Sequence, residues 1–291
     1  MFHTVAELVT QAAAYPNVAE LMVAQEMANT GRTREQIRDL MGRNLDVMVA
    51  AVHQGIQGVT SVTGLTGGDA KRLDAYLAAG DTLCDPTVLE AVRNAVAVNE
   101  VNAKMGLICA TPTAGSAGVL AGTLVAVRER LGLTREQQVD YLFTAGAFGL
   151  VIANHAGIAG AEGGCQAEVG SASAMAAAAL VAAKGGTPDQ SAQAVAITIA
   201  NMLGLICDPV AGLVEIPCIK RNALGASQAL VSADMALAGV RSVIPPDEVI
   251  DTMGRVGRQL PAMFRETAEG GLAQSPTGRK LMAQVFGEPT E

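Results

Sequence analysis

The chain has 291 residues, half of them hydrophobic but only 3% aromatic, with no Trp and a net charge of −8. That charge argues against nucleic acid as the main partner, because phosphate binding needs a basic face. Five cysteines, an odd number, and an opening MFHTVAELVTQ without a basic stretch and apolar run argue against a disulfide framework and make the cytosol the expected compartment.

The apolar content is carried by Ala, Val, Leu, Ile and Met among 32 glycines. Such a mixture suits closely packed helices better than a β-sandwich, and no alternating strand pattern recurs. The expected fold is all-α: a compact bundle of ten or more helices with Ala/Gly-rich helices at its centre. It forms one catalytic domain over 1–291, with 1–30 as a peripheral N-terminal helical segment.

In chain order, Asn17 followed by Glu20 opens a helix near 17–30, and Thr33 followed by Gln36 opens another near 33–54. The stretch SVTGLTGG then runs into a helix near 69–79 that stops at Gly80. Asp85-Pro86 places an N-cap before a proline and opens 86–103. Gly106 to Ala110 reads as a lone extended piece, and TPTAGSAG leads into a helix near 116–131 ending before Gly132. Thr134 with Gln137 starts 134–155; further helices follow at 165–183, 188–206 after Thr187-Pro188, 219–239, 246–260 and 276–287 after Ser275-Pro276.

Tyr141 to Gly160 is 20 residues without Asp, Glu, Lys or Arg, long enough for a bilayer. Thr144, Asn154, His155, the many glycines and the lack of aromatic belts favour a buried core helix instead. A non-enzymatic membrane or scaffold protein stands as the alternative of a different class.

Three cysteines have unusual settings. Cys165 follows two glycines and opens a helix, where the dipole favours a thiolate. Cys207 and Cys218 bracket CDPVAGLVEIPC, whose two prolines forbid one continuous helix and allow a loop that returns both thiols to one point. The separations, 42 and 11 positions, match neither a zinc finger nor a ferredoxin. On spacing alone, three packed thiols, or a zinc with His155 as fourth ligand, stay open. Cys84 and Cys109 read as ordinary core cysteines.

The two Gly/Thr-rich stretches offer backbone N–H groups and hydroxyls at helix starts, as an anion cradle for a carboxylate does; an ordinary helix-entry turn is the plainer reading. Neither fits a dinucleotide or Walker A pattern. Ser116 in AGSAG resembles a hydrolase elbow but lacks the preceding sheet and a distant downstream His. Pyridoxal phosphate is not expected, since none of Lys71, Lys104, Lys184, Lys220 and Lys280 has a Schiff-base setting.

Taken together, SVTGLTGGDA, NEVNAKMGLICATPTAGSAG, GAEGGCQAEVGSASAMAAAA, MLGLICDPVAGLVEIPCIKRNALGAS and RETAEGGLAQSPTGR resemble the α subunit of the iron–sulfur-dependent L-serine dehydratases, from about residue 15 onward. The resemblance implies a lyase that converts L-serine to pyruvate and ammonia. It implies a [4Fe–4S] cluster on Cys165, Cys207 and Cys218, with one iron open to act as a Lewis acid on the substrate hydroxyl. It further implies substrate-binding loops carrying Ser61, Thr63, Gly64, Thr66, Gly67, Thr113 and Ser116. Lys220, Arg221 and Asn222 follow Cys218 and are expected to orient cluster or substrate, with a polar helix start as the plainer reading. A cluster-dependent lyase for another small amino acid, such as threonine or cysteine, is the near alternative. Some relatives end in a cysteine that reaches the open iron; this sequence ends QVFGEPTE, so no such ligand is expected. The family's second domain is not recognisable here, so a separate β subunit is the expected partner, in an oligomer. The catalytic base is left open between Lys220, His155 and that partner.

Overall fold

A computed structural model describes residues 2–287 of the chain. Thirteen α-helices account for the described residues' regular structure: α1 Val5–Ala12, α2 Val18–Thr30, α3 Arg34–Ile56, α4 Asp69–Ala78, α5 Pro86–Ala103, α6 Ala117–Val127, α7 Arg135–Ala156, α8 Gly160–Gly163, α9 Ser171–Ala183, α10 Pro188–Met202, α11 Cys218–Leu237, α12 Pro246–Gln259 and α13 Pro276–Phe286. The only β-pairings among these residues are two isolated bridges, Thr60 with Gly67 and Cys207 with Arg265. The fold is all-α, as expected, and Gly106–Ala110 forms no strand.

Most helix starts follow from their caps. Reciprocal capping boxes form at Thr33/Gln36, Thr134/Gln137 and Thr187/Gln190, each satisfying two N–H groups that a helix start leaves open. Asn17, Asp85 and Ser275 accept from backbone N–H groups in the first turn. Four expectations change. The helical segment expected over 1–30 divides into α1 and α2, and the first N–H groups of α1 are held by Asp247 from α12, at 2.7 and 3.1 Å. The helix expected over 165–183 is interrupted by a π-turn at Gln166–Gly170. Helix α10 stops at Met202, short of 206, and α6 at Val127, short of 131.

At the centre, every residue of α9 from Ser171 to Val181 is buried, packed against α7, α10 and α11. Its eight alanines remove the side-chain bulk that would otherwise hold neighbouring axes apart. Helix α6 crosses α5 on two glycines: a Cβ on Gly118 would sit 2.2 Å from the Ala95 carbonyl oxygen, and one on Gly122 2.7 Å from the Ala95 nitrogen. No helix of the described residues is long and apolar enough to cross a membrane. The uncharged stretch from Tyr141 is divided between α7 and the turn before α8, and the Tyr141 hydroxyl pairs with Thr123 of α6 at 2.8 Å inside the core.

Phe2, Val5, Leu8 and Ala12 are buried in the same core as α7 and α10, so the N-terminal segment is packed along its apolar face. His155 helps hold it there. One ring nitrogen lies 2.9 Å from the His3 carbonyl oxygen and the other 3.2 Å from Asp251.

Candidate thiol centre

Cys165, Cys207 and Cys218 are all buried, as free thiols. They arrive on three different elements. Cys165 stands just before the π-turn that leads into α9, a deformation common at functional sites. Its neighbour Gln166 fixes that turn: the side-chain amide donates to the Met253 carbonyl of α12 at 3.0 Å and accepts from Gly204 N–H at 2.9 Å. Cys207 lies in extended chain clamped by the tail segment, donating N–H to Phe264 and accepting from Glu266 N–H, both at 2.8 Å. Cys218 is the first residue of α11, after the irregular run that the prolines impose.

The sulfurs of Cys165 and Cys207 and a carboxylate oxygen of Glu168 lie within 4.8 Å of one another. Cys218 is outside that tight group but close enough for its charge to act on Cys207. Glu168 approaches because Gly160 makes room: a Cβ there would fall 2.9 Å from Glu168 Oε2 and 3.2 Å from Cys207 Sγ. Burial, reinforced by the charge of Glu266, pushes the Glu168 carboxyl up to about 6, against the pull of Thr113 and the Gly160 backbone.

Crowding divides the thiols. A hydrogen bond from Cys207, helped by the positive charge of Arg221, draws Cys165 below the ordinary thiol range, while the same contact and burial push Cys207 up. Burial likewise raises Cys218. Arg221, one turn into α11, is the cation of the site: it donates to the Ile206 carbonyl at 2.8 Å and pairs with the buried Asp208 at 2.8 Å. Soft, buried sulfur donors beside one guanidinium suit an iron–sulfur cluster or another thiophilic metal, because the metal's positive charge would relieve their mutual repulsion. The residues present therefore fit the cluster that the resemblance implies. His155 takes no part in this group, and the zinc arrangement that would use it does not form.

The first Gly/Thr-rich loop holds two carboxylates, both the chain's own, whereas the N–H groups where the second enters α6 are taken by carbonyl and amide oxygens. The N–H groups of Asp69 and Ala70 at the start of α4 bond to buried Glu100, at 2.6 and 3.4 Å. Thr63 donates its hydroxyl to Glu215 at 2.9 Å and Thr66 donates to the same carboxylate at 2.7 Å. Ser61 supports Thr63 from behind at 3.1 Å, and its oxygen accepts Thr66 N–H. In the second loop, the N–H groups of Ala117, Gly118 and Val119 are taken by Ala114, Asn99 and Ser116. Ser116 is fully buried and turned onto Thr111 and Thr113. Gly64 and Gly67 have positive φ, 74° and 143°, which shapes the first loop.

Asn222 is fully buried, donating to the Gly115 carbonyl at 2.7 Å and to the Cys218 carbonyl at 3.0 Å; it joins the second loop to a cysteine. Lys220 is largely exposed and faces Asp69 at 3.5 Å. Cys84 is exposed, contrary to the core reading, because it lies in the turn that delivers the Asp85 cap; Cys109 is half-buried. Glu168, Asp208, Glu215 and Glu266 were not singled out from the sequence. One signal was available: Glu168 follows Cys165 by three positions, close enough in helical chain to share its face.

The fold and the site define an all-helical protein with a buried pair of thiols, Cys165 and Cys207, beside Glu168, and a third buried thiol, Cys218, at the start of α11. Residues 15–273 match the family model of the serine dehydratase alpha chain, and the chain belongs to that family. It is 63% identical over 270 residues to the probable L-serine dehydratase alpha chain of Bacillus subtilis, covering 93% of this chain and 90% of that one. It is 45% identical over 272 residues to the L-serine dehydratase alpha chain of Peptoniphilus asaccharolyticus, covering 93% of each. With L-serine dehydratase 1 of Escherichia coli it shares 42% identity over 181 residues, 62% of this chain but 40% of that longer protein.

Proposed function

We propose that this chain is the cluster-bearing subunit of an enzyme that deaminates L-serine to pyruvate and ammonia, working with a separate β chain. Its relatives named as alpha chains match it nearly end to end, and their names imply a second kind of subunit. The observation that carries the chemistry is the buried meeting of Cys165 and Cys207 beside Glu168, with the charges of Arg221 and of buried Cys218 from α11 acting on them.

Cys165, Cys207 and Cys218 would hold a [4Fe–4S] cluster, whose open iron supplies Lewis-acid help to departure of the substrate hydroxyl when the cluster is bound. Arg221 keeps the thiolate charge balanced and, through Ile206 and Asp208, fixes the chain on either side of Cys207. Glu168 is the group of this chain placed to hold or take a proton at the centre. Lys220 is exposed on Asp69, and both ring nitrogens of His155 are engaged elsewhere. Gly115, its carbonyl bound by Asn99 and Asn222, brings the Thr113–Ser116 loop against Glu168, since a Cβ on it would lie 3.4 Å from Glu168 Oε2. Loss of the α-proton and of water leaves an aminoacrylate, whose tautomer hydrolyses to the products.

The test is iron and acid-labile sulfide analysis, with visible absorption, of anaerobically reconstituted protein beside the Cys165→Ser/Cys207→Ser/Cys218→Ser variant. About four irons per chain in the parent and none in the variant are expected for a single cubane cluster, followed by L-serine turnover once the β chain is added. A parent that takes up no iron would end the proposal.

A further inference from the structure

Glu215 is an acid without a counter-ion. It is only 6% exposed, and among the described residues no Lys, Arg or His pairs with it. Its partners are the hydroxyls of Thr63 and Thr66, 152 and 149 positions away in the chain. The direction of these bonds is fixed, because a carboxylate only accepts. Each threonine therefore spends its one hydroxyl proton on Glu215, and Thr63 can only accept from Ser61 and from Leu65 N–H. Neither hydroxyl proton is left for a substrate carboxylate. Two hydroxyls occupy part of the roughly four acceptor positions of a carboxylate and supply no compensating charge.

The placement of Glu215 is as informative as its isolation. It stands three residues before Cys218, and its carbonyl accepts the Ile219 N–H of α11 at 3.0 Å. Its neighbour Val214 packs against Gly115, with Cγ1 3.3 Å from a Cβ position on that glycine, and Glu168 touches the same position. Glu215 thus joins the first polar loop to the segment that leads into Cys218, and its neighbour Val214 lies against the second loop. An amino acid differs from other small hydroxy acids in its α-ammonium, the one group that would supply the missing charge. Resting on the function proposed above, we propose that Glu215, held by Thr63 and Thr66, binds the α-ammonium of the substrate and makes a free amine a requirement for binding.

The test uses the cluster-loaded complex with its β chain and compares L-serine with L-glycerate, in which a hydroxyl replaces the amine. Binding is read from the change each ligand causes in the visible and electron paramagnetic resonance spectra. The unaltered complex should bind L-serine at least about tenfold more tightly, as a charge-assisted contact implies. Glu215→Gln should erase that preference by weakening L-serine while leaving L-glycerate nearly unchanged. Equal binding of the two ligands by the unaltered complex would overturn the inference, even if the variant failed to fold. Equal weakening of both ligands in a folded, iron-replete variant would also overturn it, leaving Glu215 as a loop tether. Absence of cluster or of serine turnover in the unaltered complex would instead defeat the underlying function, so the two failures are distinguishable.

Discussion

Arg221 and Asp208 form a 2.8 Å ion pair directly beside Cys207, with side chains 14% and 2% exposed. Asp208 also accepts the Leu272 N–H at 2.7 Å, so the pair ties α11 and the tail segment to one cysteine. Removing the guanidinium would leave a buried carboxylate with no cation. Arg221→Met is expected to destabilise the metal-free protein by about 3–5 kcal/mol. The double variant Arg221→Met/Asp208→Asn should recover part of that loss, because it removes the orphaned charge as well. Urea unfolding of the two variants beside the parent measures both effects.

Glu168 makes stability depend on pH. Its carboxyl ionises near 4.5 in the unfolded chain and at about 6 in the folded one, where burial and Glu266 oppose the charge. Below about 4.5 it is protonated in both states and has no effect. As pH rises towards 6, ionisation favours the unfolded chain, and the folded state loses stability that it does not regain above that range. At 1.36 kcal/mol per pKa unit the loss is about 2 kcal/mol. Glu168→Gln in metal-free protein should therefore gain stability over the parent between pH 4.5 and 7. Denaturant unfolding at both ends of this window checks it; a constant difference would refute it.

Helices were legible where a few adjacent residues decide them. The boxes at Thr33 and Thr134 and the Asp85-Pro86 start need nothing beyond one turn of chain. The bounds of α1 within the expected N-terminal helical segment were not, because its eight residues are stabilised by Asp247, 242 positions from Val5, and by burial of Leu8. The π-turn after Cys165 depends on Gln166 reaching α12, which no local pattern records. At the site, the cysteines were legible through the blocks around them. The first loop was legible as a carboxylate cradle, but its occupants were not, since Glu100 and Glu215 arrive from other parts of the chain; the second cradles no carboxylate on its N–H groups.

Asn99 and Asn222, both fully buried, converge on a single acceptor, donating to the Gly115 carbonyl at 2.9 and 2.7 Å. A carbonyl oxygen with two donors tolerates loss of one far better than loss of both. Asn222→Ala alone is expected to cost about 1–3 kcal/mol. Asn99→Ala/Asn222→Ala should cost more than the two single variants added together, by about 0.5–3 kcal/mol, because only the double variant leaves the oxygen unsatisfied. A thermodynamic cycle from urea denaturation measures the coupling. Strict additivity would mean that the two amides act independently.

Gly160 separates the demands of the centre from those of the fold. Its φ is outside the left-handed range, so alanine is conformationally acceptable there. The methyl group would nevertheless fall against Glu168 Oε2 and Cys207 Sγ, at 2.9 and 3.2 Å. Glu168 can yield by swinging its flexible end, whereas Cys207 is held on both sides by Phe264 and Glu266. Gly160→Ala should keep the helical content of the parent while the thiol and carboxyl groups are forced apart. Groups that merely orient ligands change metal affinity by roughly 10–100-fold, and a loss in this range is expected. Iron retention under chelator challenge after anaerobic reconstitution measures it, with circular dichroism as the control for folding. Parent-like iron retention would show that Glu168 and Cys207 need not stay in contact for the centre to load. Loss of helical signal together with iron would place the strain in the fold itself.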